Sequence, residues 1–342
     1  MVDLRPAYTL TMADQKWTSL LSLDVRLAAA PLTGSLTARL PAQAPLRAEP
    51  GDPVTLELDS GDGAASVFTG TVASVRREPN RSTVHAVDAA GALARLRSAT
   101  TYEQVKAGTV IRDLAGEAGV EVGDVDDGVA LAWYAADPTR TGLDHVARLS
   151  SWSGALARID ADGRLVATPV AATQADLALR YGRELLAVEQ TTRSRPVEGF
   201  TYAGEAGAGS TDSPDALRPT SDFFAGNRPD GPDETHRWAF EPALRTTDAA
   251  GSASAAAQWR YAAGAQIGSF TAFLQPTLRP GTVVEIADLP DPMVGDPVWL
   301  DRIHHRVDAD TALTTARMHA GGPASSDLLG ALGGALTSAL GL

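Results

Sequence analysis

Leu278-Arg279-Pro280-Gly281-Thr282-Val283-Val284-Glu285-Ile286, then Val298-Trp299-Leu300-Asp301-Arg302-Ile303-His304-His305, then Thr311 to His319 after an Asp308-Ala309-Asp310 turn: these stretches decide the reading of the chain. A Pro-Gly turn opens into a β-branched run, and the later stretches alternate apolar with polar residues, the period of a half-buried strand. The chain begins in the same manner. Tyr8, Leu10 and Met12, then Leu21, Leu23, Val25 and Leu27, then Leu36 and Leu40 predict strands broken by turns at 13–15 and 31–34. Residues 51–58 read as a Gly-Asp-Pro turn and a strand; 66–77 alternate cleanly, and 83–88 add another strand. Closely spaced short strands at both ends predict a barrel or sandwich in each segment.

Helix signals lie between them. Thr109 reads as a cap for a helix carrying Val110, Ile111, Leu114, Ala115 and Ala118, stopped by Gly119. Thr141 opens a capping box with Asp144 ahead of Leu143, Val146, Ala147 and Ser150, and Gly154 stops that helix. A hairpin follows, 156–159 and 164–168 around Asp160-Ala161-Asp162-Gly163. Residues 185–203 read as one long strand, with Pro196 at an edge or bulge. Residues 204–236, rich in Gly, Ser, Pro and Asp, read as a surface loop. An alanine-rich helix at 249–263 presents Ala255, Ala256, Trp259 and Ala263, and strands at 266–274, 282–286, 298–307 and 312–319 complete the pattern. The expected class is β-rich α+β. The expected parts are a first β-barrel (1–98), an inserted α/β region (99–188), a second β-barrel with the loop and Ala-rich helix (189–320), and an apolar tail (321–342).

Length and charge narrow the function. The 342 residues suffice for two or three cores. The N-terminus lacks the apolar core of a secretion signal, which predicts folding in the cytoplasm, and no run is long enough for a membrane span. A net charge of −13 argues against a nucleic-acid partner, which needs a basic footprint. Zero cysteines exclude disulfides and thiolate metal sites.

Catalytic patterns are missing too. There is no Gly-x-Ser-x-Gly, no phosphate loop and no His-Glu-x-x-His. His304 and His305 point to opposite faces of a strand and cannot share an ion. Asp160-Ala161-Asp162-Gly163 resembles the start of a calcium loop, but Ala171 stands where the bidentate glutamate belongs. Many carboxylates are present, yet no spacing isolates the acid pair that glycoside cleavage needs. The expectation is a non-enzymatic part, with no cofactor and no metal.

Candidate interface residues are the large apolar ones. Trp238 and Trp259 flank the Ala-rich helix, and Trp299 stands on a C-terminal strand. Leu328, Leu329, Leu332, Leu336 and Leu340 fall at near-helical spacing in the tail. Glycines 330, 333 and 334 weaken a free helix there by roughly 1 kcal/mol each, so a protein partner for the stripe is expected.

The order of parts resembles the hub family of contractile tails: phage late control D proteins, baseplate hubs, and the N-terminal portion of VgrG-type spike proteins. Gly51 to Leu56 with Phe68-Thr69-Gly70-Thr71-Val72 resembles the family's strand pair. Gly108 to Val120 resembles its first inserted helix, and Leu143 to Gly154 with Asp162 to Leu165 its second helix and hairpin. Leu278 to Val283 and Trp299 to Asp308 resemble its final barrel.

The resemblance implies two tube-like β-barrel domains per chain in a homotrimer. Such a hub adapts a hexameric inner tube to a trimeric spike, contacts baseplate wedge proteins and nucleates the tube. VgrG-type chains continue into an OB-fold and a needle; this sequence stops at Leu342, so a separate spike protein is the expectation. Two other readings stay open: the tail-tip hub of a non-contractile phage tail, and a cell-wall hydrolase or glycan-binding β protein.

Overall fold

The computed structural model describes residues 7–42, 45–170, 174–192, 199–204, 236–264, 266–290 and 297–320. Seven strands come first: β1 (Ala7–Met12), β2 (Gln15–Trp17), β3 (Ser22–Ala28), β4 (Ser35–Pro41), β5 (Pro53–Asp59), β6 (Ala64–Glu78) and β7 (Arg81–Asp88). In β3 and β5 the alternation has the sense the sequence implies, but β6 departs from the clean alternation expected over 66–77: the register shifts at Leu56/Glu57 and at Val72/Ser74, and Val67 and Phe68 are both buried. Leu23, Val25 and Leu27 of β3, and Val54, Leu56 and Leu58 of β5, point into the core, while Asp24, Arg26, Thr55 and Glu57 do not.

The inserted region holds α1 (Ala90–Arg95), β8 (Thr100–Lys106), α2 (Ala107–Glu117), β9 (Val122–Val125), β10 (Ala130–Ala136), α3 (Gly142–Trp152), β11 (Ala155–Ile159) and β12 (Leu165–Pro169). The capping box on α3 forms as expected: Thr141 Oγ1 accepts from the Asp144 N–H at 3.0 Å, and Asp144 Oδ2 accepts from the Thr141 N–H at 3.0 Å. Helix α2 corrects the expectation. It starts at Ala107, and Thr109 caps nothing. The backbone of 127–129 does that work, with Val129 O accepting from Ala107 N and Asp127 O from Gly108 N. A Cβ at Gly108 would sit 2.2 Å from Asp126 O, so only glycine lets the two backbones approach this closely. At the β11–β12 hairpin, Gly163 (φ +87°) makes the turn. Asp160 accepts from the Asp162 and Arg164 N–H groups and from the Arg164 guanidinium.

The C-terminal half contains β13 (Leu177–Arg180), β14 (Leu185–Thr192), β15 (Gly199–Ala203), β16 (His236–Phe240), α4 (Thr247–Ala263), β17 (Gln266–Phe273), β18 (Val283–Ala287), β19 (Val298–Asp308) and β20 (Ala312–Ala320). The single strand expected over 185–203 is instead two strands in different sheets. β14 pairs with β17, whereas β15 pairs in parallel with β16. Local alternation is the same in both, and only long-range pairing separates them. Most of the expected 204–236 loop lies outside the described residues, but its last residue, His236, opens β16.

Both β segments belong to one curled, largely antiparallel sheet of 13 strands. Its order is β14-β17-β20-β19-β3-β4-β7-β6-β5-β1-β2, with β18 joined to β19 and β13 to β18. The seam between the segments is β19 against β3, from Arg302↔Ala28 to Asp308↔Ser22. One apolar cluster runs under both, from Leu10, Leu56 and Phe68 to Phe270, Leu300 and Met318. A second core fills the inserted region around Leu114, Tyr134, Leu149 and Trp152. Helix α4 contributes Ala249, Ala250 and Ala253 to that second core. Small side chains let it lie close to α3 and β15.

Candidate assembly surfaces

Three junctions between distant segments bear on assembly. The first junction is the β19–β3 seam. On its solvent side Asp24 takes His304 Nε2 at 2.7 Å and Arg26 Nε at 3.3 Å. On its core side His305 is fully buried. Thr314 Oγ1 accepts from Gln275 N and shares a hydrogen bond with His305 Nδ1 at 2.9 Å. The two adjacent histidines point to opposite faces, as strand geometry demands.

The second junction fixes α4 to the sheet through stacked rings. Trp259 of α4 lies 5.6 Å from Trp299 of β19, and Trp299 stacks on His319 of β20 at 4.4 Å. His319 Nε2 is 3.3 Å from Asp301 Oδ2, within ion-pair reach although out of line for a full hydrogen bond. Asp301 also takes both arms of Arg317; burial pushes its carboxyl up, but His319 and then Arg317 outweigh that and hold it below the usual range. Trp299 is 6% exposed and Trp259 half-buried, so much of their surface is already used within the protomer. Trp238 is 36% exposed on β16 beside Phe240 at 63%. Leu328, Leu329, Leu332, Leu336 and Leu340 lie outside the described residues.

A third contact was not visible from spacing: Arg148 of α3 grips Glu241, just after β16, through Nε at 3.1 Å and a second short bond. Arg148 also lies 4.8 Å over the Trp152 ring. Burial pulls the Arg148 pKa down, but the Glu241 bond and charge outweigh it and leave it raised. Beneath, His145 Nε2 meets Asp137 O at 3.0 Å, so Nδ1 accepts from Tyr134 Oη at 2.7 Å. Burial raises the Tyr134 phenol to about 12. Every one of these groups is engaged in joining elements, and among the described residues no group of three or more His, Asp or Glu could hold a metal.

Two buried titratable groups predict a pH signature. Burial lowers His305 to about 3, helped by Arg279 and His304. Its contribution is complete above the unfolded value of 6.5 and is lost as pH falls. Burial raises Asp88 to about 7 against the N–H bonds of Gly34 and Ala90. Its contribution is complete below 3.8 and is lost as pH rises through 7. Between pH 5 and 6 the two slopes oppose each other. Asp88→Asn should therefore make stability fall with acidification by roughly 1 kcal/mol per pH unit relative to the parent, and His305→Leu should tilt it the other way. Urea unfolding at several pH values reads this; parallel profiles for all three proteins would refute it.

No family model and no curated protein matches the chain. Solved structures do. The 43 kDa tail protein of prophage MuSo2 from Shewanella oneidensis superposes with a TM-score of 0.67 at 15% identity, covering 92% of this chain and 98% of that one. The tail protein of Neisseria meningitidis MC58 gives 0.68 at 12% identity, covering 92% and 96%. An Escherichia coli component of the type VI secretion system, described as similar to the T4 bacteriophage tail proteins gp27 and gp5, gives 0.61 at 12%, covering 92% and 77%. The chain has the fold of these prophage tail and secretion-system proteins.

Proposed function

We propose that this chain is a structural, non-enzymatic component of a phage tail or contractile injection apparatus. More finely, it is the homotrimeric hub that joins a hexameric inner tube to a threefold spike. The observation that carries the reading is the seam. Two β segments fuse edge to edge into one sheet over a shared core, so each chain is a rigid pair of β units. Three such chains supply six units to one face and threefold symmetry to the other. Likeness in fold to tail proteins over 92% of the chain supports this assignment.

The test is the mass of the purified chain, alone and mixed with the candidate tube and spike proteins of its own gene cluster. A species of about 107 kDa, three times the 35.5 kDa chain, with ring-shaped threefold class averages, is the expected result. A monomer in all mixtures, or a dimer, would overturn the hub assignment.

A further inference from the structure

The outer face of the large sheet is basic. Leu23, Val25 and Leu27 of β3 point into the core, so Asp24 and Arg26 stand on the opposite face. Register extends that face to both sides. Arg306 pairs with Asp24 and Arg302 with Ala28; in the other direction Ser22 pairs with Arg39, Arg39 with Thr83, and Thr83 with Arg76. Arg81 faces Glu78 at the far end. Arg26, Arg76, Arg81 and Arg306 make ion pairs with only three carboxylates, those of Asp24, Glu78 and Asp308. These arginine side chains are 46–77% exposed and the carboxylate ones 21–34%, so the arginines carry the charge that faces outward. Arg39 and Arg302 are exposed and have no ion-pair partner among the described residues. This positive surface stands on a chain of net charge −13.

The opposite charge is gathered in the inserted region. From Asp113 to Asp127 the chain carries Asp113, Glu117, Glu121, Asp124, Asp126 and Asp127 and no basic residue. All of them are exposed, on and beside α2 and β9. Among the described residues only Asp127 has an ion-pair partner, Arg112 of the same region. Their field reaches into the protomer: burial raises the Tyr102 phenol, and Asp113 and Glu117 raise it further. No ion pair among the described residues joins this acidic edge to the arginine face. Two surfaces of opposite sign on different parts of one chain are the halves of a head-to-tail contact between copies.

We propose that the arginine face over the β19–β3 seam of one copy takes the acidic edge 113–127 of a second copy of this chain. The inference rests on the homotrimer reading and names the surfaces through which its copies meet. Because the two surfaces differ, each copy offers one to its neighbour on either side, and the contact closes into a ring.

The test reverses charge on each side in the full chain. Arg39→Glu with Arg302→Glu makes one variant, Glu117→Lys with Glu121→Lys a second, and all four changes together a third. All four side chains are exposed, so denaturant midpoints should match the parent's. Association is read by light scattering over a concentration series, under the conditions that give the parent's three-chain species. Each two-change variant should associate at least about tenfold more weakly than the parent, and the four-change chain should recover the parent's association. A two-change variant that assembles like the parent overturns this contact and leaves the trimer standing, as does a four-change chain no better than the two-change ones. A parent with no three-chain species under any condition overturns both. A duplex oligonucleotide held by the parent but not by Arg39→Glu with Arg302→Glu, with assembly unchanged, gives the face to a polyanion and also overturns the proposal.

Discussion

Trp299→Ala will lower folding stability by about 4 kcal/mol, within the range for deleting a buried tryptophan. The ring is the middle member of the stack Trp259, Trp299, His319, and it shares a small buried cluster with Val170, Ala263 and Val283. Its removal opens a hole where the sheet, the β11–β12 hairpin and α4 meet, and the backbone of three elements cannot collapse into it together. Trp259→Ala should cost about half as much, because that ring is already partly exposed. The ordering is checked by denaturant midpoints at constant slope. Exchange should also speed up across α4 in Trp299→Ala. Equal losses from the two variants would show that the stack is not the joint.

Glu241→Gln will cost roughly 3 kcal/mol, the low end for breaking a buried ion pair, because Arg148 keeps some contact with water. The loss comes from Arg148. Its guanidinium stays pinned over Trp152 beside the Tyr134 hydroxyl, with its counter-charge gone. Arg148→Met together with Glu241→Leu should recover most of the stability, since a volume-conserving apolar pair leaves no orphaned charge. A double variant as unstable as Glu241→Gln would mean that the pair orients α3 rather than neutralising it.

Both contacts illustrate how the chain encodes its fold. Strands β3, β4, β5 and β7 were legible because each buries every second residue, so alternation writes itself into the sequence, whereas β6, β18 and β19 bury neighbouring residues (Val67 and Phe68, Val283 and Val284, Val298 to Leu300) and read as strands from their β-branched runs. The α3 box and the Asp160–Gly163 turn were legible because their bonds are local. Strand β8 was not, since its residues Thr100 to Lys106 bury nothing fully and show no period. Strand β16 was not, because Arg237 and Phe240 stay exposed and Trp238 is partly so, which leaves no apolar alternation to read. The start of α2 depends on the carbonyls of Asp127 and Val129, which no N-terminal residue of the helix announces. The same holds for the assembly surfaces. Trp238, Trp259 and Trp299 were singled out by size alone. That the latter two meet, and that Trp238 lies on another face, depends on pairings between distant segments. The pairing of Arg148 with Glu241, 93 residues away, left no trace in spacing at all.

The seam sets a timetable as well as a shape. His304 and Asp24 are separated by 280 residues, so β3 receives its second neighbour only when nearly the whole chain has been made. At about 5–20 residues per second, a ribosome takes on the order of 15–60 s to cover that interval. Throughout it the N-terminal β unit carries an open strand edge with Leu23, Val25 and Leu27 behind it. Nascent chains that meet during those seconds can pair through that edge. Slowing synthesis, or crowding polysomes, should therefore lower the yield of folded protein more than heating the finished molecule would suggest.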